Sequence, residues 1–355
     1  MVVIKENKLI TFYIDIAKAL GASHDEAQVW ATCMVRADLR GMYTQGAAIV
    51  PYSINLIENR LANFGVPFKI LKDEPSMALV DGGHGVGAIV ATRGMKLAID
   101  KARSTGVGCI WVQNGGDFMM AANHTLQAIE QDMVGVAMRN AYPAVAPWGG
   151  KEPFFGTNPL SVAVPTQNEP PIVIDMAAGS FSVGQVVMAA RDNRLLTSMH
   201  LVNSEGIYTN DPTKIVIDPN ERESALNGAI VNFGHKGLAW SLIVELFTGL
   251  LAGSNTSNLN DYEPTMENPH KEETFLMAID VSKLQPVAEF KASADRFVCA
   301  LRSVKPATGF DRVLSPGQIE AENEAQRKKE GIPIRDEVWE QIINTTTRLG
   351  VVFKG

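Results

Sequence analysis

Histidine and cysteine are the scarce reactive side chains of this chain, six and three in 355 residues, and their spacing decides what chemistry they could perform. Cys33, Cys109 and Cys299 are odd in number and far apart, so they form neither a disulfide framework nor a CxxC metal site. His24, His84, His124, His200, His235 and His270 are scattered, with no HxxxH, HExxH or Cys/His cluster, and no metal centre is expected. A GxSxG nucleophile string is also missing. The glycine-rich string DGGHGVG, residues 81–87, lies between a strand-like and a helix-like run, where unpaired helix N–H groups could receive a phosphate. It does not spell GxGxxG, and no acidic residue closes a second strand about 20 residues on. The string reads as a tight strand-to-helix turn, and a standard Rossmann site is not expected.

The elements that must position a site are marked by changes of texture along the chain. The first 65 residues read as helices: Ser23 and Glu26 form a capping box ahead of EAQVWATCMVRADLR, Gly41 ends that helix, and a third helix is expected over residues 46–63. From residue 76 short apolar runs alternate with amphipathic segments and glycine turns (SMALVDGG, AIVATRGMKLAIDKARSTG, VGCIWVQNGG, FMMAANHTLQAIEQD, MVGVAMRNA), which is α/β texture. PLSVAVPT and PIVIDMA read as strands, residues 181–192 as a helix and residues 194–233 as a loop-rich span. GLAWSLIVELFTGLLAG is the most apolar helical stretch, TFLMAIDVSKL a late strand and IEAENEAQRKKEG a charged, solvated helix. The expected organisation is an N-terminal helical region (1–75), a central α/β domain (76–311) and a C-terminal helical segment (312–355) that packs with the first.

Hydrophobic content of 46% with 20% charged residues provides for a sizeable core and does not fit a disordered chain. The formal charge of -7 argues against a nucleic-acid partner, since phosphate binding needs a basic surface. No segment approaches the roughly 18 unbroken apolar residues of a membrane span, and MVVIKENKLITFY lacks the apolar stretch of a signal peptide. A soluble, cytoplasmic protein is expected.

Specific strings then follow in one order: ADLRG at 37–41, APWGGKEPFFGTNPLSVAVP at 146–165, IDMA at 174–177, HKG at 235–237, and PATGF with SPG within 306–317. Together they resemble the malate/L-lactate dehydrogenase family of NAD(P)-dependent enzymes, from residue 8 to residue 345. The resemblance implies a non-Rossmann α/β domain that binds NAD or NADP, helices from both termini packed beside it, a small-molecule substrate and a homodimer. It maps cofactor contacts onto Asp175, Met176 and Ala177 at a strand end, onto Lys236, onto Ala307, Thr308 and Gly309, and near Ala141 and Asn158. A lysine offers charge to phosphate, small residues let the backbone approach closely, and an asparagine can pair with an amide or a ribose.

The substrate segment departs from the family pattern. After ADLRG the family usually reads Asp-Ser-His-Gly with an arginine three residues beyond the glycine; here MYTQGAAIVP at 42–51 puts Gln45 at the histidine position and Ile49 at the arginine position. The family's second histidine, its proton donor and acceptor, is replaced by Asp117 in QNGGDF. Asp117 and Gln45 thus stand at the catalytic positions, and Ile49, Thr44, Tyr52 and His124 are the expected substrate contacts. As a helix residue, His124 reads first as structural.

Hydride transfer to a ketone builds negative charge on oxygen and requires a proton from a group with a pKa near 7. Histidine, at about 6.5, suits that work, whereas aspartate, at about 3.9, is ionised unless burial raises it. The same carboxylate favours a cationic C=N group, whose charge it stabilises. Ile49 supports that direction, because loss of a guanidinium removes the bidentate clamp for a substrate carboxylate. The leading expectation is an NAD(P)H-dependent reductase of an imine or iminium. A 2-hydroxy or 2-oxo acid dehydrogenase, with Asp117 protonated or His124 recruited, is the alternative, and a dinucleotide-binding protein with little redox turnover is the third.

Overall fold

The computed structural model describes residues 1–219, 226–260, 264–266, 269 and 271–354. His270 lies outside the described residues. Seven strands form a mixed central sheet in the spatial order Lys69–Asp73, Met77–Asp81, Val107–Gln113, Thr274–Asp280, Met133–Arg139, Pro159–Val164 and Ile172–Ala177. The late strand Thr274–Asp280 sits at the centre, antiparallel to both neighbours, with Thr274 opposite Val112 on one side and Arg139 on the other. Met77–Asp81 and Val107–Gln113 run parallel, joined through the helix Gly87–Thr105. These registers bring the carboxyl ends of three strands, and the start of the late one, to a single edge of the sheet. In open α/β sheets that edge is the customary place for a ligand.

The helices from the two termini share one core, in which Leu9, Phe12, Ile16, Trp30 and Met34 meet Val338 and Ile342. Val2–Ile4 and Ile332–Ile334 pair antiparallel beside it. The Ser23 capping box is present: the Ser23 N–H donates to Glu26 at 3.2 Å and the Glu26 N–H to the Ser23 hydroxyl at 3.3 Å. Gly41, at φ 87, ends the helix His24–Arg40. The helix expected over 46–63 is shorter, Val50–Glu58, preceded by the 3₁₀ turns Tyr43–Gln45 and Ala47–Ile49. Asp38 is the physical reason. Its buried carboxylate accepts the Ala47 N–H on both oxygens at 2.9 Å, and a Cβ on Gly46 would overlap that carboxylate, so the chain turns there instead of coiling.

Two further differences concern strands. Lys69–Asp73, within the region read as helical, is an edge strand of the central sheet. The span 194–233 carries most of a second sheet, in the order Tyr208–Thr209, Leu201–Asn203, Gly228–Val231 and Val145–Ala146, whose strands are too short to show a period. The helix Val183–Arg191 is capped by Ser182 and Gln185, and the helix Val287–Arg302 follows the late strand. The most apolar stretch forms Gly234–Glu245 and the π-helical Leu246–Leu250. Among the described residues no helix is long and apolar enough to cross a membrane.

Candidate active site

Two turns at the sheet edge make the site. The turn after Met77–Asp81 carries His84, and the turn after Val107–Gln113 carries Asp117. They pack backbone on backbone. A Cβ on Gly87 would overlap the Asp117 carbonyl oxygen, and one on Gly116 would come within 3.0 Å of the Gly85 carbonyl oxygen. Between them and the neighbouring elements lies a cavity of about 90 Å³ whose wall includes Gln45, Tyr52, His84, Asp117, Arg139, Ala141, Tyr142 and Glu272. Ile49 lines, with Tyr52 and Asp117, an adjoining void of about 30 Å³.

Arg139 dominates the electrostatics. Its guanidinium lies 2.6 Å from Glu272 and 3.4 Å from Asp117, with the Phe118 ring 5.3 Å away. Burial works against its charge, and Asp117, Glu272, Tyr142 and Tyr52 outweigh burial, so its pKa stands above the ordinary value. Asp117 also accepts the Met119 N–H at 2.8 Å. Beside this group Glu273 is pushed up to about 8 by burial, although the Ser254 hydroxyl and the Asn114 N–H both donate to it. The Gln45 side-chain oxygen is buried without a hydrogen-bond partner in the protein.

A cleft of about 560 Å³ adjoins the cavity, with Gln45, Arg139, Thr157 and Ser182 in both walls. Thr44, Asp175, Met176, Ala177, Ser180, Ser198, His200 and Phe233 line it further. Burial pushes the Asp175 carboxyl up to about 7, against the Ala122 N–H that it accepts at 2.8 Å. The Ser180 hydroxyl in this wall is buried and unpartnered, a donor set for a ligand's oxygen. An open cleft rich in neutral donors, ending at a small polar cavity, fits a nicotinamide dinucleotide.

A family model described as malate/L-lactate dehydrogenase matches residues 4–343. The chain belongs to that family. It is 35% identical over 339 residues to malate/(S)-sulfolactate dehydrogenase of Methanothermus fervidus, covering 95% of each chain. Its fold superposes on malate dehydrogenase of Pyrococcus horikoshii with a TM-score of 0.88 at 28% identity, over 99% of this chain and 97% of that one. It also superposes on delta1-piperideine-2-carboxylate reductase of Pseudomonas syringae, TM-score 0.82 at 26% identity, over 97% and 100%. As a member of this family the chain is an NAD(P)-dependent oxidoreductase.

Several family positions lie away from the cleft. Asn158 is fully buried; its amide donates to Glu245 at 2.8 Å and its oxygen accepts from the Ser257 hydroxyl at 3.3 Å, so Thr157 and Pro159 are what that turn presents to the cleft. Lys236 is exposed in the first turn of Gly234–Glu245, outside the wall that Phe233 joins. Ala307, Thr308 and Gly309 form an exposed turn beyond Val287–Arg302 and line neither space. His124 is a packing residue rather than a substrate contact: it lines neither space, donates from Nε2 to the Phe118 carbonyl at 2.9 Å, and burial drives its pKa down to about 4. Sequence reasoning missed His84, Arg139 and Glu272. The signal available for His84 was a lone histidine among glycines at a strand's carboxyl end.

Proposed function

We propose that the chain is an NAD(P)H-dependent reductase of an imine or iminium. The charge of the cavity carries this reading: among the described wall residues one guanidinium is bound to two carboxylates, which leaves an excess of negative charge once the His84 ring in the same wall is neutral. A cationic C=N group is stabilised by such a wall. A 2-oxo acid brings a further carboxylate, which must compete with the buried Glu272 for the Arg139 guanidinium. When bound, the reduced dinucleotide supplies hydride. The chain's own residues do the rest: Asp117 and Glu272 hold positive charge at the C=N group, the unpartnered Gln45 oxygen accepts an N–H, and Ile49 and Tyr52 admit apolar bulk. Asp175, Met176, Ala177 and Ser180 bind the dinucleotide along the cleft. The superposition on an enzyme named for a cyclic imine that carries a carboxylate supports the C=N chemistry alone.

One observation favours a second reading, a 2-hydroxy or 2-oxo acid dehydrogenase. Arg139 places a guanidinium in the cavity from a strand end, where the loss of arginine at Ile49 had suggested none, and its 3.4 Å contact to Asp117 is the looser of its two. The name of the Methanothermus relative agrees with it. Incubation with NADH or NADPH and two panels, cyclic imines and 2-oxo acids, separates the readings by absorbance of the reduced nicotinamide. Imine-dependent oxidation is expected, and Asp117→Asn should lower it on the order of 100-fold. Consumption with oxo acids alone overturns the imine reading. We further propose a cytoplasmic homodimer, on the free state of Cys33, Cys109 and Cys299 and on the apolar face described below.

A further inference from the structure

We infer, on the hydride-transfer reading above, that His84 is the proton donor of this site, acting in place of the histidine that the family carries where this chain has Asp117. Of the described histidines it alone lines the cavity, in one wall with Gln45, Tyr52, Asp117 and Arg139. His124, the nearest in sequence to Asp117, is enclosed in the core with its Nε2 committed to the Phe118 carbonyl.

The backbone of His84 is held where side chains are uncommon. Its φ is 54, in the left-handed region, although it is flanked by Gly83 and Gly85, either of which adopts that region freely. Its N–H donates to the Asn114 carbonyl at 3.1 Å, and its carbonyl accepts the Asn63 N–H at 3.0 Å. A conformation of this kind persists when the surroundings over-determine it, and such positions gather at active sites. Here the over-determination comes from the segment around Asn63 and from the Asn114 turn that leads to Asp117, so the backbone from which the imidazole projects is fixed relative to the Asp117 turn.

Asp81 supplies the countercharge. Burial works to raise its carboxyl, and the Asn114 amide, the Gly83 N–H and the nearby His84 and Lys69 charges outweigh burial, which keeps it an anion. In the step itself, the imidazolium N–H of His84 gives its proton to the nitrogen of a neutral imine, which makes the cationic C=N group that Asp117 and Glu272 face, or to the oxygen of a carbonyl substrate, while the adjacent carbon takes hydride with its electron pair from the reduced nicotinamide. The products are an amine or an alcohol and the oxidised dinucleotide. The neutral imidazole then regains a proton from solvent.

His84→Asn and His84→Gly test the assignment, because both residues accept a left-handed backbone. Both variants are expected to keep the thermal midpoint and the NADH or NADPH affinity read from nicotinamide fluorescence. Turnover should fall on the order of 100-fold or more, and added imidazole should restore it in His84→Gly, where the ring has left space. Turnover within about threefold of the parent, or a loss that imidazole does not restore, overturns the assignment. An imidazole-rescued loss on 2-oxo acids alone keeps His84 and sinks the imine reading. Imine reduction that survives both variants does the reverse, and a parent that reduces neither panel sinks both.

Discussion

Glu273 has a carboxyl that folding pushes up to about 8 from an ordinary 4.5, with burial as the first cause and the Glu272 charge adding to it. A carboxyl whose folded pKa lies above its unfolded one takes up a proton on folding between the two values. The stability it contributes is therefore full below about 4.5 and is lost as pH rises through about 8. Asp38 and Asp175, both pushed to about 7 by burial, act in the same sense over a narrower window. Unfolding free energy is expected to fall as pH rises between these limits, by up to about 1.4 kcal/mol per pH unit from Glu273. Glu273→Gln removes that share, which urea unfolding at several pH values would read as a flatter profile. An unchanged slope in the variant refutes the protonated state assigned to Glu273. Gln45, Ile49 and Asp117 were legible in the sequence because each stands within or beside a recognisable string. Glu272, Arg139 and His84 were not, because only the strand register gathers them: Thr274 lies opposite both Val112 and Arg139, which sets Glu272 against a guanidinium 133 positions earlier.

At the scale of elements, the site depends on how closely two turns approach. Replacing the first residue of an exposed helix, Gly to Ala, ordinarily gains about 0.5–1 kcal/mol from backbone entropy. At Gly87 the overlap of a new Cβ with the Asp117 carbonyl oxygen, and its approach to 2.6 Å from the Gly116 carbonyl carbon, involves backbone that cannot swing aside. Steric cost wins, and Gly87→Ala is expected to lose about 2 kcal/mol of stability in urea unfolding, in the range for forced backbone shifts. Turnover should drop with it, since His84 and Asp117 ride on the separated turns. A variant as stable and active as the parent would show that the turns have slack. Element ends were readable where a side chain closes them locally, as Ser23 with Glu26 and Gly41 do. They were unreadable where closure is tertiary: the helix expected from residue 46 starts late because Asp38, nine positions upstream of Ala47, captures its amide.

For the whole molecule, the question left by the fold is what covers the helix Gly234–Glu245 and its continuation. Leu242, Ile243, Leu246, Leu250 and Leu251 remain between 43% and 60% exposed, while Val244 and Thr248 on the opposite side are buried. The stretch was legible as the most apolar in the chain, but which face it would leave uncovered was not, because apolar residues all round a helix show no stripe. Ile243 and Leu246, three residues apart, and Leu242, Leu246 and Leu250, four apart, form a continuous apolar surface, and burying such surface contributes about 25 cal/mol per Å². A second copy of the chain, related by a two-fold axis, would set the same face against itself, as closed dimers do. Sedimentation equilibrium at micromolar concentration is expected to give twice the 38.5 kDa of one chain. Leu246→Glu combined with Leu250→Glu should return the single-chain mass, because each dimer would then bury four carboxylates without partners. The thermal midpoint of the parent should rise with protein concentration and that of the double variant should not, since association stabilises by mass action. A parent that sediments at the single-chain mass rules the dimer out, and a double variant that keeps twice that mass places the interface on another face.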